Sequence, residues 1–566
     1  MPKKEPLAKK QSLSKKLLNF VDQRLLFFAS LFLLIFIPLY PKLPLFEAIP
    51  GYIVRVRLED IFVGLITLFY LIQVFRKKVS WQNPAAKWIF AYLAVAFLSI
   101  ISGLFIIRTI PLESIHFAKS FLHLLRYIEY FSLLFILYSS IKSEKDLKLV
   151  VYTLAVTLLL VSIYGYGQKN FYWPVFSTMN REFSKGMVLY LTEHARVQST
   201  FAGHYDLAAF LVLLLPIFYV LGVKSQKRAG RIIFKILHFI GLWLLVVSAS
   251  RTSFAAYALA ILAAIILLAW QEQKLIKRFW DVVRRGIGFS VLMVLMIIVF
   301  GGDMQDRFLQ ILRAYPEAYL VYEKSSDFSE KQLLAFEKKY KNLSSSIKGR
   351  VKPPDNGIAV DENSLTRTDQ RPVSTKPVST RPVDVYEDIP DKVLQEDDSG
   401  KMVVVEKERT WSPNAMKYGL SLAIRLDELW PNAIDGFITN PVLGSAYATL
   451  NKKEFYHFTE AESTDNNFLR TLGETGLLGF ITFYGIFWVI FYQIEKNKKA
   501  SPWLKSLNLA FMAASIGLLA NALYIDVFAS SKVAFTYWAL AGAILAINYQ
   551  ESHEAQAKKL KTKSKK

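Results

Sequence analysis

The chain has 566 residues, of which 53% are hydrophobic, 14% are aromatic and 20% are charged, and none is cysteine. Its apolar residues occur in runs of about 20, which match the hydrocarbon thickness of a bilayer and argue against a set of soluble domains. The missing cysteines exclude a disulfide framework, a thiol nucleophile and a cysteine-ligated metal site.

The net charge of +23 includes six lysines in each of two terminal tails, at residues 1–23 and 549–566. Basic tails that flank membrane segments are typical of the cytoplasmic side, where they contact anionic lipid. The charge therefore favours membrane lipid over nucleic acid as a partner. No small-residue cleavage site follows the first apolar run, which argues against a signal peptide.

Twelve apolar segments are candidate membrane spans. We expect them at residues 24–40, 58–75, 88–107, 117–141, 149–166, 205–222, 235–249, 252–270, 286–301, 467–493, 506–525 and 532–548. Lys and Arg recur in alternate connections, as the positive-inside rule demands when both termini are cytoplasmic. The prediction is an all-α polytopic transmembrane bundle of about 12 spans. Its membrane domains are at 24–301 and 467–548.

Two opposite charges lie inside the fourth predicted span. Arg126 and Glu129 are three residues apart, so they share one face of a helix. Intramembrane charges are functional candidates by default, and a self-satisfied structural pair explains them equally well.

Two arginines lie at the predicted outer surface. Arg196 precedes the sixth span, and Arg251 occupies a tight turn between Ser250 and Thr252, after the seventh. A guanidinium pairs bidentately with phosphate and keeps its charge, so both arginines suit a lipid-linked diphosphate. Interfacial snorkelling or a local ion pair is the structural alternative.

The long outer connection at 302–466 has three parts. Residues 303–343 show helical periodicity, 344–400 are polar and rich in Pro, Ser and Thr, and 410–466 regain aromatic residues. The middle part cannot bury enough apolar surface to fold, so we expect a disordered insertion there. Trp430 in the third part could stack on a sugar, although aromatic residues at a membrane interface are more often anchors.

The connection ends in a polar cluster that continues directly into the tenth span. On spacing alone, Asp465 is predicted to be the N-cap of that helix, since Asp is favoured at this position, and Thr464 is a second candidate for the cap. Gly476 and Gly479 inside the span are typical of close helix packing.

Taken in order, these motifs resemble the O-antigen ligase and polymerase family of bacterial glycan-assembly membrane proteins. The resemblance covers roughly residues 150–500, and the early segment with Arg57, Glu59 and Asp60 is similar more loosely. The matching residues are Arg196 before a span, the turn Ser248 to Thr252, Arg425 with Trp430 and Asn440 to Gly444, and Asp465-Asn466 with Gly476 to Gly479.

The resemblance implies an inverting, metal-independent glycosyltransferase of the GT-C type in the bacterial cytoplasmic (inner) membrane. Such proteins pass a glycan from undecaprenyl diphosphate to an acceptor hydroxyl at the outer face, and arginines matching Arg196 and Arg251 hold the diphosphate. Ligases carry a His where this chain has Asp465, which is more similar to the polymerase branch, and His457 is a candidate substitute. The predicted catalytic residues are Asp465, Arg251 and Arg196, and the predicted substrate-binding residues are Arg425, Asn466, Trp430, His457, Ser250 and Thr252.

No His, Asp or Glu cluster has metal-ligand spacing, and no P-loop or Rossmann glycine pattern occurs. We therefore predict no metal or cofactor, and energy from the lipid diphosphate. The expected partners are an undecaprenyl-diphosphate-linked glycan, a glycan or lipid acceptor, and membrane lipid. The main alternative is a transporter or flippase of a lipid-linked or polyanionic substrate, which also needs many helices and a few buried charges. The absence of an internal repeat and the clustering of charges on one side favour the enzyme.

Overall fold

A computed structural model of the chain describes residues 21–46, 48, 55–179, 183–191, 195–302, 358–360, 391–396, 402–407, 422, 424–450 and 463–563. Within these ranges the protein is mostly helical, with three two-stranded sheets. The prediction of a helical membrane bundle is confirmed at this level. The helical prediction for 303–343 and the candidate residue His457 lie outside the described residues.

The apolar runs form helices because a helix satisfies its own backbone N–H and C=O groups inside a bilayer. In chain order they are α1 (Leu26–Leu39), α2 (Leu58–Phe75), α3 (Ala86–Ile101), α4 (Ser114–Ser140), α5 (Glu144–Phe171), α6 (His204–Lys224), α7 (Arg228–Val247), α8 (Arg251–Ala269), α9 (Leu275–Phe300), α10 (Trp430–Thr439), α11 (Asn467–Lys496), α12 (Pro502–Asn521) and α13 (Ser531–Lys563). Turns of π-helix at Val21–Leu25, Ser102–Ile106 and Arg425–Leu429 precede α1, extend α3 and precede α10.

Ten helices among the described residues are long and apolar enough to cross a membrane, namely α2 to α9, α11 and α12. Helix α1 is apolar but has only 14 residues. Each predicted span overlaps one helix, and α13 continues as far as Lys563, into the predicted C-terminal tail. The chain is therefore a multi-pass membrane protein, while the count of twelve spans stays a prediction.

Helix α6 lies at the centre of the bundle. It packs against α7, α8, α12 and α13, and every residue from Leu207 to Phe218 is buried. Helix α9 lies at the periphery against α7 and α8, and its buried side chains are Met293 and Met296. The remaining apolar side chains of α9 suit contact with lipid.

The connections meet at two opposite ends of the bundle. At one end, the Lys532 ammonium group at the start of α13 donates to the carbonyls of Pro38 (3.0 Å), Tyr40 (2.7 Å) and Thr200 (2.7 Å). At the other end, Arg24 pairs with Asp146 at 2.8 Å. We call the end that carries Lys532 the site end. Which side of the membrane it faces stays a prediction.

The strands are short and lie in the connections. Strands β1 (Pro44–Phe46) and β2 (Val56–Arg57) pair antiparallel, β3 (Leu189–Leu191) pairs parallel with β4 (Ile358–Val360), and β5 (Asp391–Glu396) pairs antiparallel with β6 (Met402–Lys407). Strands β4 and β5 are the described residues of the 344–400 insertion. For the rest of that insertion, disorder stays a prediction.

Candidate functional site

The side chain that caps α11 is Asn466, not Asp465. Its Oδ1 accepts hydrogen bonds from the backbone N–H groups of Phe468 (3.0 Å) and Leu469 (3.1 Å). The prediction that Asp465 is the N-cap is therefore wrong. Asp465 has a positive φ of 51°, an uncommon conformation for a residue other than glycine. The carboxylate is thereby freed from the role of helix cap.

Asp465 forms an ion pair with Arg425. Arg425 Nη2 lies 2.8 Å from Asp465 Oδ2, and the side chains are 5% and 30% exposed respectively. Ser463 Oγ donates to Asp465 Oδ1 at 2.7 Å. Burial raises the pKa of the Asp465 carboxyl above its usual value, and nearby Asp526 raises it further, while Arg425 opposes both. The carboxylate is thus held in place, partly open and more basic than an exposed one.

Arg425 is itself held against an aromatic ring. Its guanidinium carbon lies 4.1 Å from the centroid of the Tyr524 ring, which is a cation–π distance. Trp430 contacts the same ring edge-on, with centroids 6.3 Å apart. The structure therefore brings Arg425 and Trp430, two of the predicted substrate-binding residues, to one tyrosine after α12. Trp430 Nε1 is buried without a hydrogen-bond partner among the described residues.

Asp526 organises the segment that precedes α11. Its carboxylate accepts from the backbone N–H groups of Thr464 (2.9 Å) and Asn466 (3.0 Å), from Ser463 Oγ (3.1 Å) and from Arg470 Nη1 (3.0 Å). Asp526 is 7% exposed. One buried carboxylate thus fixes the backbone on both sides of Asp465.

Arg196 is buried and bonded to a histidine. Its Nη1 lies 2.6 Å from His204 Nε2, and Arg196 and His204 are 7% and 1% exposed. The backbone N–H of the following residue, Val197, donates to the carbonyl of Val247 at the end of α7 at 3.2 Å. Arg196 is therefore tied to the turn that carries Arg251. Its burial argues against simple snorkelling at the membrane surface.

Arg251 begins α8 and is exposed, with no ion pair to any described side chain. Its neighbour Ser250 is buried and donates to Ser253 Oγ at 2.9 Å, and Asn521 Nδ2 donates to the same oxygen at 3.1 Å. Thr252 Oγ1 is buried without a hydrogen-bond partner among the described residues. Ser250 thus has a structural role, while Arg251 has its charge available at the site end.

The motif from Asn440 to Gly444 contacts the motif from Gly476 to Gly479 at a kink in α11. Gly476 has φ +64°, and a Cβ added there would lie 2.4 Å from the Val442 carbonyl group. The Leu477 N–H donates to the Pro441 carbonyl at 2.9 Å, and the Ala446 N–H donates to the Glu474 carbonyl at 3.0 Å. The loop after α10 therefore satisfies the backbone groups that the kink frees, which is how a broken helix is tolerated in a membrane.

A cavity of about 490 Å³ opens at the same end. The charged groups in its lining are Lys42, Arg55, Arg57, Asp60, Arg126, Glu129, Asp206 and Arg470. Arg126 Nη1 donates to Glu129 Oε2 at 2.9 Å and also to Asp60 Oδ1. The pair predicted in the fourth span is therefore a triad that faces a cavity.

A short chain of polar contacts connects this cavity to Asp465. Arg470, which lines the cavity, donates to Asp526, and the Ser463 hydroxyl lies between the two carboxylates, 3.1 Å from Asp526 and 2.7 Å from Asp465. Neither Arg196 nor Arg251 lines the cavity. Arg196 contacts His204, and Asp206, two residues after that histidine, lines the cavity.

Sequence reasoning missed Asp526 and the cations Lys42, Arg55 and Arg470. The available signal for Asp526 was a single acidic residue in a short outer connection between two predicted spans. For Lys42 and Arg55 it was the presence of basic residues in a connection where the positive-inside rule expects few, and for Arg470 it was a charge inside the tenth predicted span.

No protein-family model matches the chain, and no curated protein sequence matches it either. Within the described residues, no group of three or more His, Asp or Glu side chains is arranged to hold a metal ion.

Proposed function

We propose that the protein is a membrane glycosyltransferase that moves a glycan from an undecaprenyl-diphosphate carrier to an acceptor hydroxyl at the site end. One observation carries the proposal. Asp465, a partly exposed carboxylate with a raised pKa, is held by Arg425 and Asp526 beside a large charged cavity. A fixed base next to a basic pocket is what transfer from a diphosphate requires.

In the proposed reaction the acceptor oxygen attacks the anomeric carbon of the glycan. A new C–O bond forms as the bond to the diphosphate oxygen breaks, and the bonding electron pair leaves with the diphosphate. The acceptor proton passes to Asp465, whose raised pKa makes it a better base than an ordinary Asp. A single displacement with one base inverts the anomeric centre and needs no covalent intermediate.

The leaving diphosphate needs cations that are not neutralised by the protein. Arg251 is exposed at the start of α8 and has no ion pair to the described side chains, so its charge is available. Arg196 is buried in the segment before α6, and its Nη1 lies 2.6 Å from His204 Nε2, which fixes its guanidinium. Fixed donors stabilise developing negative charge without reorganising in the transition state.

A transporter or flippase is the second candidate, and the Arg126 triad favours it. Buried charges that line a cavity within a helical bundle are also typical of substrate or ion pathways. The two functions differ in what they need from Asp465, because transport forms no bond to an acceptor and needs no base there.

The test uses purified protein in liposomes with undecaprenyl-diphosphate oligosaccharide, with products sized by mass spectrometry. Wild type is compared with Asp465→Asn and Arg251→Ala, and Glu495→Gln is the control because its carboxylate lies in an exposed ion pair with Lys498. A ladder of longer lipid-linked chains that needs Asp465 and Arg251 supports a polymerase. Transfer to an added acceptor without a ladder supports a ligase.

Two results would refute the enzyme. One is the absence of any transfer in wild type with all acceptors offered. The other is transfer at the wild-type rate in Asp465→Asn. Movement of the lipid-linked substrate across the liposome membrane without transfer would then favour the flippase.

A further inference from the structure

Helix α10 has three faces with different surroundings. Ala433 and Gly436 are buried where the helix packs against α11. The polar face lines a cavity of about 250 Å³, and its side chains there are Asn432, Asp435 and Thr439. On the third face, Ile434 and Ile438 lie one turn apart and are 45% and 64% exposed. This third face is apolar and largely uncovered.

The exposed apolar surface of α10 continues onto α11. The Pro441 and Val442 carbonyls, just after α10, accept hydrogen bonds from the N–H groups of Leu477 (2.9 Å) and Leu478 (3.3 Å). Val442, Leu477 and Leu478 are 56%, 49% and 44% exposed. We call the exposed apolar residues of both helices and their connection the apolar strip, and they are Ile434, Ile438, Val442, Leu477 and Leu478. The strip therefore joins the surface of a helix that is long and apolar enough to cross the membrane.

The sequence of α11 indicates where the hydrocarbon region begins along that helix. Arg470 and Glu474 precede the kink, whereas residues 477–494 include no charged residue. At a rise of 1.5 Å per residue this uncharged segment is about 27 Å long, which is close to the hydrocarbon thickness of a bilayer. Leu477 therefore lies at the boundary between the lipid headgroups and the acyl chains. The strip meets α11 at this boundary.

We propose that α10 lies along the membrane surface with its apolar strip in contact with lipid acyl chains. A continuous apolar surface of this kind marks a contact with a partner or a membrane. Lipid is the partner that continuity selects, because Ile481, one turn after Leu477 and Leu478, is 49% exposed and extends the same surface along the membrane span. A helix with an apolar face and a separate polar face is typical of the membrane interface.

This placement connects the bilayer to the Arg425–Asp465 ion pair. Arg425 is the first residue of the π-helical turn that runs directly into α10. Lipid contact along α10 therefore sets the height of Arg425 above the hydrocarbon region, together with the height of the Asp465 carboxylate that it holds. The placement is independent of whether the protein transfers glycans.

Fluorescence quenching measures what covers the strip. Because the chain has no cysteine, one introduced cysteine on the full-length protein takes a bimane label at a single position. The labelled protein is reconstituted in phosphatidylcholine liposomes. A nitroxide near the headgroup end of the acyl chains quenches the label from the lipid, and iodide quenches it from water.

Ile438→Cys carries the test, with Asp435→Cys on the polar face as the matched control from the same helix and Ile481→Cys as the lipid-facing reference. We expect the nitroxide to quench Ile438→Cys about twofold or more above Asp435→Cys, and about as strongly as Ile481→Cys. Iodide should quench Asp435→Cys most strongly. Ile434→Cys, on the same face as Ile438, is a second test position and should give the same order.

Two results would overturn the proposal. Iodide quenching of Ile438→Cys and Ile434→Cys as strong as that of Asp435→Cys would show that the strip faces water. Weak quenching of both by either agent would show that protein covers the strip, whether another segment of this chain or a second copy. Glycan transfer plays no part in the measurement, so failure of the proposed function leaves its outcome unchanged.

Discussion

Replacing Asp526 with alanine tests whether one buried carboxylate holds the segment around Asp465. Asp526 accepts four hydrogen bonds, at 2.9 to 3.1 Å, from Ser463, Thr464, Asn466 and Arg470. Alanine removes all four. The segment would then lose its contacts on both sides of Asp465.

The expected cost follows from what each donor can do afterwards. Removing one partner of a buried ion pair costs about 3–5 kcal/mol, because the other charge is left uncompensated. Arg470 keeps a second carboxylate, since its Nε donates to Glu474 at 3.2 Å. The freed backbone N–H groups belong to Thr464 and Asn466, which are 2% and 7% exposed, so they lose their acceptor in a buried position. We therefore expect a loss of about 3–5 kcal/mol in the free energy of unfolding.

The assay is an SDS titration of the purified protein, followed by circular dichroism, together with amide hydrogen exchange over residues 463–470. Asp526→Ala should unfold at lower SDS and exchange faster at Thr464 and Asn466. Asp526→Asn keeps the shape without the charge and should give an intermediate result. Glu495→Ala is the control, because exposed ion pairs contribute little to stability. Unchanged unfolding and exchange in Asp526→Ala would refute the reasoning.

Three further predictions concern the kink, the base and the cavity. Gly476→Ala should destabilise the protein by about 2 kcal/mol or more in the same SDS titration, because the added Cβ would lie 2.4 Å from the backbone of Val442 and the φ of this residue is positive. Gly64→Ala is the control and should leave the stability unchanged, because its added Cβ would meet no atom within 4 Å. The transfer rate should fall as pH drops through the pKa of Asp465, because only the ionised carboxylate accepts a proton. Since that pKa is raised, the fall begins at higher pH than for an exposed Asp, and a pH–rate profile with its midpoint at or below the usual Asp value would contradict this. Arg126→Gln should destabilise the bundle, because it leaves the neighbouring carboxylates of Asp60 and Glu129 without their cation. Adding Glu129→Gln should restore part of the lost stability, and a double mutant no more stable than Arg126→Gln would argue against charge repulsion.

Much of the fold could be predicted from the chain because bilayer thickness and backbone hydrogen bonding act on local sequence. Apolar runs at residues such as 58–75 and 205–222 became helices with nearly the same bounds, α2 and α6. The kink of α11 at Gly476 was not predicted, because the loop at 440–444 packs against Gly476 and imposes the conformation of this glycine.

The candidate site was only partly predictable. The sequence motifs marked Arg425 and Asp465 separately, and the structure joins them in one ion pair. The N-cap of α11 was assigned to Asp465, one residue before the Asn466 side chain that caps the helix. Both Asp465 and Asn466 are good caps by residue type, and the choice between them depended on Asp526, 60 residues further along, which accepts from the Asn466 N–H.

The sequence by itself determined that this is a helical membrane protein and where most of its helices run, because hydrophobic length and charge bias are local properties. Only the tertiary structure decided which charges meet. The cavity takes its cations from the β1–β2 region, α4 and α11, and its neighbour Asp465 is held by a residue after α12. A buried charge is stabilised by whichever partner the fold brings within hydrogen-bond distance, and no sequence spacing encodes that distance.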